Sequence, residues 1–530
     1  MKTINAIIIL FIFTFALSCD VEYFKNPNQP ETPPTSGLFN QAVDELMTDT
    51  RDVWFSGRFT LATMQYWHQS NYGDEDRYSY RESMIETWED FYYNLENFRK
   101  IIKFNESEEY AGQMEAYGPN QGQIAVTRVM MAYTFNLMAD TWGPVPYYSY
   151  GTDDPDFQAL QLGDNAEENQ ILKPGYAPQD KIYTDILNEL DAAASTLSGI
   201  DEPIFPNSDV IYGGNPTKWQ KFANSLRLRI ALKVREVDSD LAQSHINDVL
   251  NESGVYFKSN ADNAVFRWEG NAKNAAPMYT SWHVDNRSDF AVATAFTQLL
   301  KGQTVNDHQG NPITENPFSG IRDPRIHEYL IQNDQGNYVG MPVAENSAQA
   351  ATFRWECLPD STIIHKPDYG AVLMEYSEVQ FILSELNGWN QSNYEQGVRA
   401  SMERWGVNQG AIDNYISQLP NANEETVLTQ KYIALYMQPH TSWMEYRRTG
   451  YPETLIMPNN DYSVYVPSED TTYNYNFDPI PESINQTNDL PYRMPYPQQE
   501  TTLNRANYQE ASSWLPNGDN LISRLWWDVD

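Results

Sequence analysis

The chain has 530 residues, of which 41% are hydrophobic and 13% aromatic, enough to bury a large core. Its formal net charge is −37, from 35 Lys and Arg against 72 Asp and Glu, which argues against nucleic acid as a partner because a polyanion would be repelled. The same charge disfavours sulfated or uronic-acid glycans unless a local basic patch overrides it.

The first residues have the pattern of a secretory signal. Lys2 precedes an apolar run over residues 6–17 that is too short to span a bilayer. Because Cys19 closes this run, we predict a lipoprotein signal peptide over residues 1–18 and acylation of the Cys19 thiol, although Ala16 stands where such signals usually carry Leu. The alternative is an ordinary soluble secretory protein.

The segment after the signal predicts a spacer between lipid and fold. Residues 19–36 contain four prolines and little periodicity, which is typical of a flexible, extended tether. Asp20 and Glu22 resemble the acidic signal that exports such lipoproteins to the cell exterior. Beyond Cys19 the chain has one other cysteine, Cys357, so we predict no disulfide framework and no cysteine metal site.

Apolar residues at helical spacing predict that most of the remaining chain is helical. The predicted helices cover residues 83–102, 122–139, 179–197, 217–237, 369–387 and 393–404. The helix at 217–237 carries six cations, which we interpret mainly as internal ion-pair partners, with a patch facing another protein as the alternative. Residues 262–365 and 453–500 are broken by Pro, Gly, Asn and Asp and predict loops and short strands.

Residues 424–452 predict a helical hairpin. Asn423 can cap a first helix that Pro439 would stop. Ser442 with Glu445 fits a capping box for a second helix, which Gly450 would close.

The sequence QKYIALYMQPHTSWMEYRRTGYP at 430–452 resembles the C-terminal signature of the SusD/RagB family of surface lipoproteins. Five further stretches resemble blocks of that family in the family's order. They are DTWGPVPYYSY at 140–150, KWQKFANSLRLRIALKV at 218–234, RDPRI at 322–326, SMERWGV at 401–407 and PYRMPYPQQETTLNRANYQEA at 491–511. The resemblance therefore extends over nearly the whole mature chain.

The resemblance implies a fold and a role. It implies a mainly α protein, a tetratricopeptide-like helical superhelix with long irregular loops and a few short strands over one face, as a single unit at residues 37–530. The protein would be lipid-anchored on the outer face of the outer membrane and would deliver nutrients to a SusC-like TonB-dependent transporter. No cofactor, metal or catalysis is implied.

Exposed rings interleaved with polar residues are typical of sugar-binding loops, because aromatic faces stack on the C–H faces of sugars. Such rings lie in the predicted ligand-binding loops at 65–80 and 262–365, where the resemblance also places the ligand. The predicted glycan-binding residues are Trp67, Tyr72, Tyr78, Trp282, Asp285, Arg287 and Trp355. The alternative for each ring is a place in the core, which we predict outright for four other tryptophans, Trp142, Trp219, Trp405 and Trp443.

No catalytic motif is present. The seven histidines have no paired zinc-ligand spacing, and no phosphate-binding loop or nucleophile elbow occurs. We therefore predict a non-catalytic protein that captures oligo- or polysaccharide, most simply a neutral glycan. The alternatives are peptide capture by the same uptake system, a surface glycoside hydrolase, and a purely structural subunit of the transporter complex.

Overall fold

A computed structural model describes residues 32–529 except 82–86, 162–170, 344–349, 351, 352 and 354. The predicted signal peptide, Cys19 and most of the predicted tether lie outside the described residues. Residues 35 and 36, predicted as tether, instead open the first helix, which begins after Pro34. No helix within the described residues combines the length and the apolar character needed to cross a membrane.

The chain is mainly helical. Its longer helices are α1 (Thr35–Thr50), α2 (Thr87–Glu106), α3 (Asn120–Trp142), α4 (Gln179–Ser198), α5 (Pro216–Val234), α6 (Ser239–Asn251), α7 (Thr294–Lys301), α8 (Tyr376–Leu386), α9 (Gln391–Arg404), α10 (Gln409–Ile416), α11 (Glu424–Ala434), α12 (Pro439–Thr449) and α13 (Arg505–Ser513). Consecutive helices pack against each other in the series α3 to α6 and again in α8 and α9, as in tetratricopeptide-like arrays. The predicted fold class is confirmed.

One hydrophobic cluster extends from Leu38 at the start of α1 to Trp527 near the end of the chain. The four tryptophans predicted as core residues are all buried. The free thiol of Cys357 is buried as well.

The cations of the helix predicted at 217–237, which the structure ends at Val234, are mostly paired internally, as predicted. Lys233 contacts Asp140 of α3 at 2.6 Å, and Arg229 contacts Glu378 of α8 at 2.5 Å, with all four side chains buried. Lys221, Arg227 and Arg235 also pair with carboxylates. Lys218 contacts an aromatic ring instead, with its ammonium 5.8 Å from the centre of the Tyr212 ring.

Three of the family-like blocks, at 140–150, 430–452 and 491–511, meet in space. The Arg447 guanidinium of α12 lies 3.6 Å from the Trp443 ring centre and donates to the carbonyl oxygens of Asp140 and Tyr492. Arg493 donates to the carbonyl oxygen of Trp142 at the end of α3. Three blocks that are remote in sequence thus share one buried hydrogen-bond network.

The helical hairpin at 424–452 is present, with corrections. Asn423 caps α11 through Thr426, and Gly450 ends α12 in the left-handed conformation. Pro439 does not stop α11, which already ends at Ala434; it is the first residue of α12.

The capping box predicted at Ser442 and Glu445 is wrong, because both residues lie inside a helix that has already begun. The Ser442 hydroxyl accepts from Tyr66, and Glu445 pairs with Lys431 and Arg448. Sequence spacing alone could not separate a cap from these buried contacts.

Within the described residues, six short strands form three antiparallel pairs. The strands are β1 (Trp67–Gln69), β2 (Ala264–Arg267), β3 (Phe290–Val292), β4 (Gly370–Met374), β5 (Asp461–Val466) and β6 (Thr471–Asn476), paired β1 with β3, β2 with β4 and β5 with β6. The helix predicted at 369–387 is therefore only half right, because its first residues form β4 and the helix begins at Tyr376.

Asp49 makes stability depend on pH. It lies in the last turn of α1, where the helix dipole already disfavours an anion, and accepts a hydrogen bond from Asn94 of α2. Burial, with Asp90 nearby, raises the pKa of the Asp49 carboxyl to about 7. Ionising Asp49 therefore destabilises the folded state. The loss of stability grows as the pH rises from the pKa of Asp49 in the unfolded chain to its pKa in the folded protein, and it is constant above that pH.

The full pKa shift of Asp49 corresponds to about 4 kcal/mol, and solvent screening of the half-buried carboxyl reduces it. We therefore expect Asp49→Asn to stabilise the protein by about 1–4 kcal/mol at pH 8 and to have little effect near pH 4. Urea unfolding of both proteins at the two pH values measures this difference. The control is Asp201→Asn, on an exposed loop, which should change neither value. A gain from Asp49→Asn that is equal at both pH values would contradict the assignment.

Candidate functional site

The pairing of β1 with β3 brings the two predicted ligand loops together. Trp67 lies opposite Val292 and Gln69 opposite Phe290, and the Ser70 amide donates to the carbonyl oxygen of Asp289 at 2.6 Å. The Val292 amide in turn donates to the carbonyl oxygen of Cys357. Residues near 70, 290 and 357 are therefore neighbours in space. We call the surface that carries the nearby rings of Tyr72, Trp282 and Trp355 the loop face.

Trp282 is held on the loop face by a histidine. It lies in the single helical turn Thr280–Val284, is half-buried, and stacks on the His365 ring with 4.5 Å between centroids and 14° between planes. Burial, with His283 nearby, lowers the pKa of His365 to about 4, so the imidazole is neutral at pH 7. A neutral, buried ring supports one side of the indole and fixes its orientation.

The second exposed ring is Tyr72, which three arginines surround. Its side chain is 43% exposed, and the guanidinium carbons of Arg58, Arg81 and Arg287 lie 5.2, 5.5 and 5.8 Å from its ring centre. Arg58 is buried, whereas Arg81 and Arg287 are about half exposed. Cations at this distance from an aromatic ring are attracted to its face.

Two buried carboxylates hold these arginines in place. Asp289 accepts from Arg58 and Arg287, and Asp289 Oδ1 accepts from Asn71 at 2.8 Å. Glu75 contacts Arg81 at 2.6 Å and Arg58 at 3.7 Å. The result is an exposed tyrosine rimmed by fixed N–H donors, an arrangement suited to a sugar ring and its hydroxyl groups.

Trp67 and Tyr78 are corrections to the predicted site, because both side chains are buried. The Trp67 indole donates to the Tyr436 hydroxyl at 2.9 Å and lies beneath His365, so it supports the loop face from inside. Tyr78 packs against Phe477 and has a left-handed backbone at φ 67°. Neither ring has a face that could contact a ligand in this conformation.

The other predicted residues lie at the surface. Asp285 and Arg287 follow the Trp282 turn, and the Arg287 amide donates to the carbonyl oxygen of Ser281, which closes that turn. Trp355 is 62% exposed and lies beside Glu356, which accepts from Asn333 in another part of the loop face. The structure thus joins Tyr72 with Arg287 and leaves Trp355 at a separate place.

Three residues of this site were not predicted from the sequence. Arg58 belongs to an irregular π-helical segment, Val53–Leu61, which shows no useful periodicity, and Arg81 follows an irregular loop. His365 lies about 80 residues from Trp282, a pairing that no local pattern reveals. The described residues contain no cluster of three or more His, Cys, Asp and Glu side chains that could hold a metal ion.

Comparison with known proteins identifies the family. A family model described as "Starch-binding associating with outer membrane" matches residues 27–470, and one described as "Susd and RagB outer membrane lipoprotein" matches residues 418–528. No curated protein matches the chain.

Solved structures agree in fold. A SusD homologue from Parabacteroides distasonis is 22% identical, with a TM-score of 0.72 over 93% of this chain and 98% of that chain. A chitin-binding SusD homologue from Flavobacterium johnsoniae is 21% identical, with a TM-score of 0.70 over 94% of this chain and 99% of that one. A SusD homologue from Bacteroides uniformis is 21% identical, with a TM-score of 0.69 over 93% and 99%. With a family match over most of its length and this fold, the chain belongs to the SusD-like family.

Proposed function

We propose that this protein captures oligo- or polysaccharide at the cell surface and passes it, unaltered, to a SusC-like TonB-dependent transporter. The observation that carries the proposal is the Trp282 ring, backed by His365 and half-exposed on the loop face. The chitin-binding function named for the Flavobacterium johnsoniae homologue supports a glycan as the ligand.

The ring chemistry favours sugar over peptide. A pyranose ring stacks flat on an aromatic face, and its hydroxyl groups accept from the exposed guanidiniums of Arg81 and Arg287. The two carboxylates that hold these arginines are already engaged, since Asp289 accepts from two arginines and an asparagine and Glu75 pairs with Arg81. That engagement supports binding without hydrolysis, because a glycosidase needs two carboxyl groups free to act on the ligand.

The remaining parts of the proposal concern anchoring and partner. Acylation of Cys19 would attach the chain to the outer membrane, with each buried methylene contributing about 0.8 kcal/mol. The helical scaffold would contact the transporter, so that ligand and transporter use different surfaces.

Binding and catalysis are tested together. The purified protein is screened against a glycan array and a peptide pool, and the best ligand is then incubated with the protein and assayed for new reducing ends. Saturable glycan binding without new reducing ends is the expected result. Binding of peptides alone, or release of reducing ends, would reject the proposal in favour of peptide capture or hydrolysis.

The transporter is tested separately by affinity purification from detergent-solubilised outer membranes. We expect a TonB-dependent barrel to copurify with the acylated protein. Copurification of the barrel by a protein that binds no glycan would indicate a structural subunit instead.

A further inference from the structure

A concave pocket lies between the end of α7, residues 332–338 and the β5–β6 hairpin. Its volume is about 450 Å³, enough for a sugar unit. Two cations, Lys301 and Arg322, line it, and none of the described residues lining it is an Asp or Glu. In a chain with about twice as many acidic as basic residues, such a lining is unexpected.

Lys301 has no anionic partner among the described residues. Its ammonium makes one long contact, 3.4 Å to the carbonyl oxygen of Tyr338, and no carboxylate in that part of the chain lies within ion-pair distance. Burial, with Arg322 nearby, lowers the pKa of Lys301. Most cations of α5 have carboxylate partners, so an unpaired, half-buried lysine beside a second cation indicates that an anion completes the site.

Arg322 is oriented by an aromatic ring. Its guanidinium carbon lies 5.1 Å from the centre of the Tyr338 ring, and the Tyr338 hydroxyl is fixed by a 2.8 Å hydrogen bond with His327. Arg322 also makes a hydrogen bond with the Tyr338 side chain, and the rest of its exposed guanidinium is available to a ligand. A planar guanidinium is well matched to carboxylate or sulfate oxygens.

The pocket also offers groups that recognise hydroxyls. Gln298 lines the pocket, and its side-chain oxygen is buried and has no hydrogen-bond partner among the described residues. Gln332 and Asn337 add exposed or half-exposed amides, and Tyr465, 54% exposed, adds a ring. These exposed amides and this ring suit a sugar unit with hydroxyl groups better than a bare anion.

From this geometry we infer that the pocket binds an acidic sugar unit, with its carboxylate or sulfate between Lys301 and Arg322 and its hydroxyl groups beside the amides of Gln332 and Asn337. The inference goes beyond the proposed function, since the net charge of −37 disfavours acidic glycans and only a local basic site can offset it. Asn333, in the loop that forms one wall, donates to Glu356, which follows the exposed Trp355 in the chain.

The test uses the full chain in detergent and isothermal titration with four probes. These are trigalacturonate, a sulfated carrageenan tetrasaccharide, maltotriose and inorganic sulfate. We expect at least one of the two acidic oligosaccharides to bind, with an affinity that falls as salt is added. Lys301→Gln and Arg322→Gln should each weaken that binding about tenfold, the effect of one charge-assisted hydrogen bond.

The matched control is Lys218→Gln. Like Arg322, Lys218 lies over a tyrosine ring, that of Tyr212, but it does not line the pocket. Its replacement should leave the affinity unchanged. Melting curves confirm that each variant is folded.

Three results would overturn the inference. They are no binding of either acidic oligosaccharide by the unaltered protein, binding that neither pocket substitution weakens, and sulfate binding as tight as that of the oligosaccharides, which would indicate a simple ion site. Failure of acidic-sugar binding in this pocket can be distinguished from failure of the proposed function. A protein that binds a neutral glycan through Trp282 but no acidic one would refute this inference alone.

Discussion

Arg229→Met is expected to lower the free energy of unfolding by about 3–5 kcal/mol, because it leaves a buried carboxylate without its partner. Arg229 Nε and Nη2 donate to the two oxygens of Glu378 at 2.6 and 2.5 Å, and both side chains are buried. The pair joins α5 to α8, across a long sequence separation. Urea unfolding followed by tryptophan fluorescence measures the loss.

The double variant Arg229→Met/Glu378→Met should recover most of this loss, since neither charge then remains in the core. The control is Arg399→Met, which removes an ion pair with Asp413 of the same kind but at the surface, and should cost less than about 1 kcal/mol. Equal losses at Arg229 and Arg399 would show that burial does not set the strength of the pair. A double variant as unstable as the single one would point to lost packing instead.

This ion pair shows what the sequence reveals and what it hides. A helix with six cations in an acidic chain predicts internal pairing, and five of the six are paired. The partner of each cation is not predictable, because Glu378 lies about 150 residues from Arg229 and only the packing of α8 on α5 brings them together. The long amphipathic helices were predicted correctly because burial of an apolar face gives a periodic pattern. Their ends were predicted less well because helix ends depend on local contacts.

The candidate site was predicted less well than the fold. Aromatic residues in irregular segments mark both ligand-binding rings and core rings, and composition cannot separate the two. Trp67 and Trp282 have similar polar neighbours in sequence, yet Trp67 lies in β1 beneath His365 and Trp282 lies above it. The deciding quantity is exposure, which depends on the β1–β3 pairing and therefore on residues more than 200 positions apart.

The net charge was a poor guide to the local field. The value of −37 favours a neutral ligand, but Arg58, Arg81 and Arg287 gather around Tyr72, and Lys301 and Arg322 line a pocket with no acidic residue among its described members. Charges beyond about 10 Å are screened at moderate salt, so these nearby groups outweigh the distant surface carboxylates.

Trp282→Ala is expected to weaken binding of the glycan identified on the array about tenfold or more, since truncating an aromatic residue at the centre of a binding site costs about 2 kcal/mol or more. The indole is positioned by stacking on His365 at 4.5 Å and is half-buried, so its removal takes away a fixed platform without opening the core. Titration calorimetry with that glycan measures the change. Trp282→Phe should retain part of the affinity, because a smaller ring still stacks.

Trp514→Ala is the matched control for this prediction. Trp514 is 43% exposed at the end of α13, outside the loop face, so its removal deletes an exposed indole without touching the proposed site. Affinity should be unchanged in this variant, and the melting temperature should be close to that of the unaltered protein in both. If Trp282→Ala binds the glycan as tightly as Trp514→Ala does, the ring does not contact the ligand, and the proposed glycan site must move to Tyr72 or Trp355. If both variants lose affinity equally, the effect is general destabilisation, because exposed rings that are far apart in the fold have no other property in common.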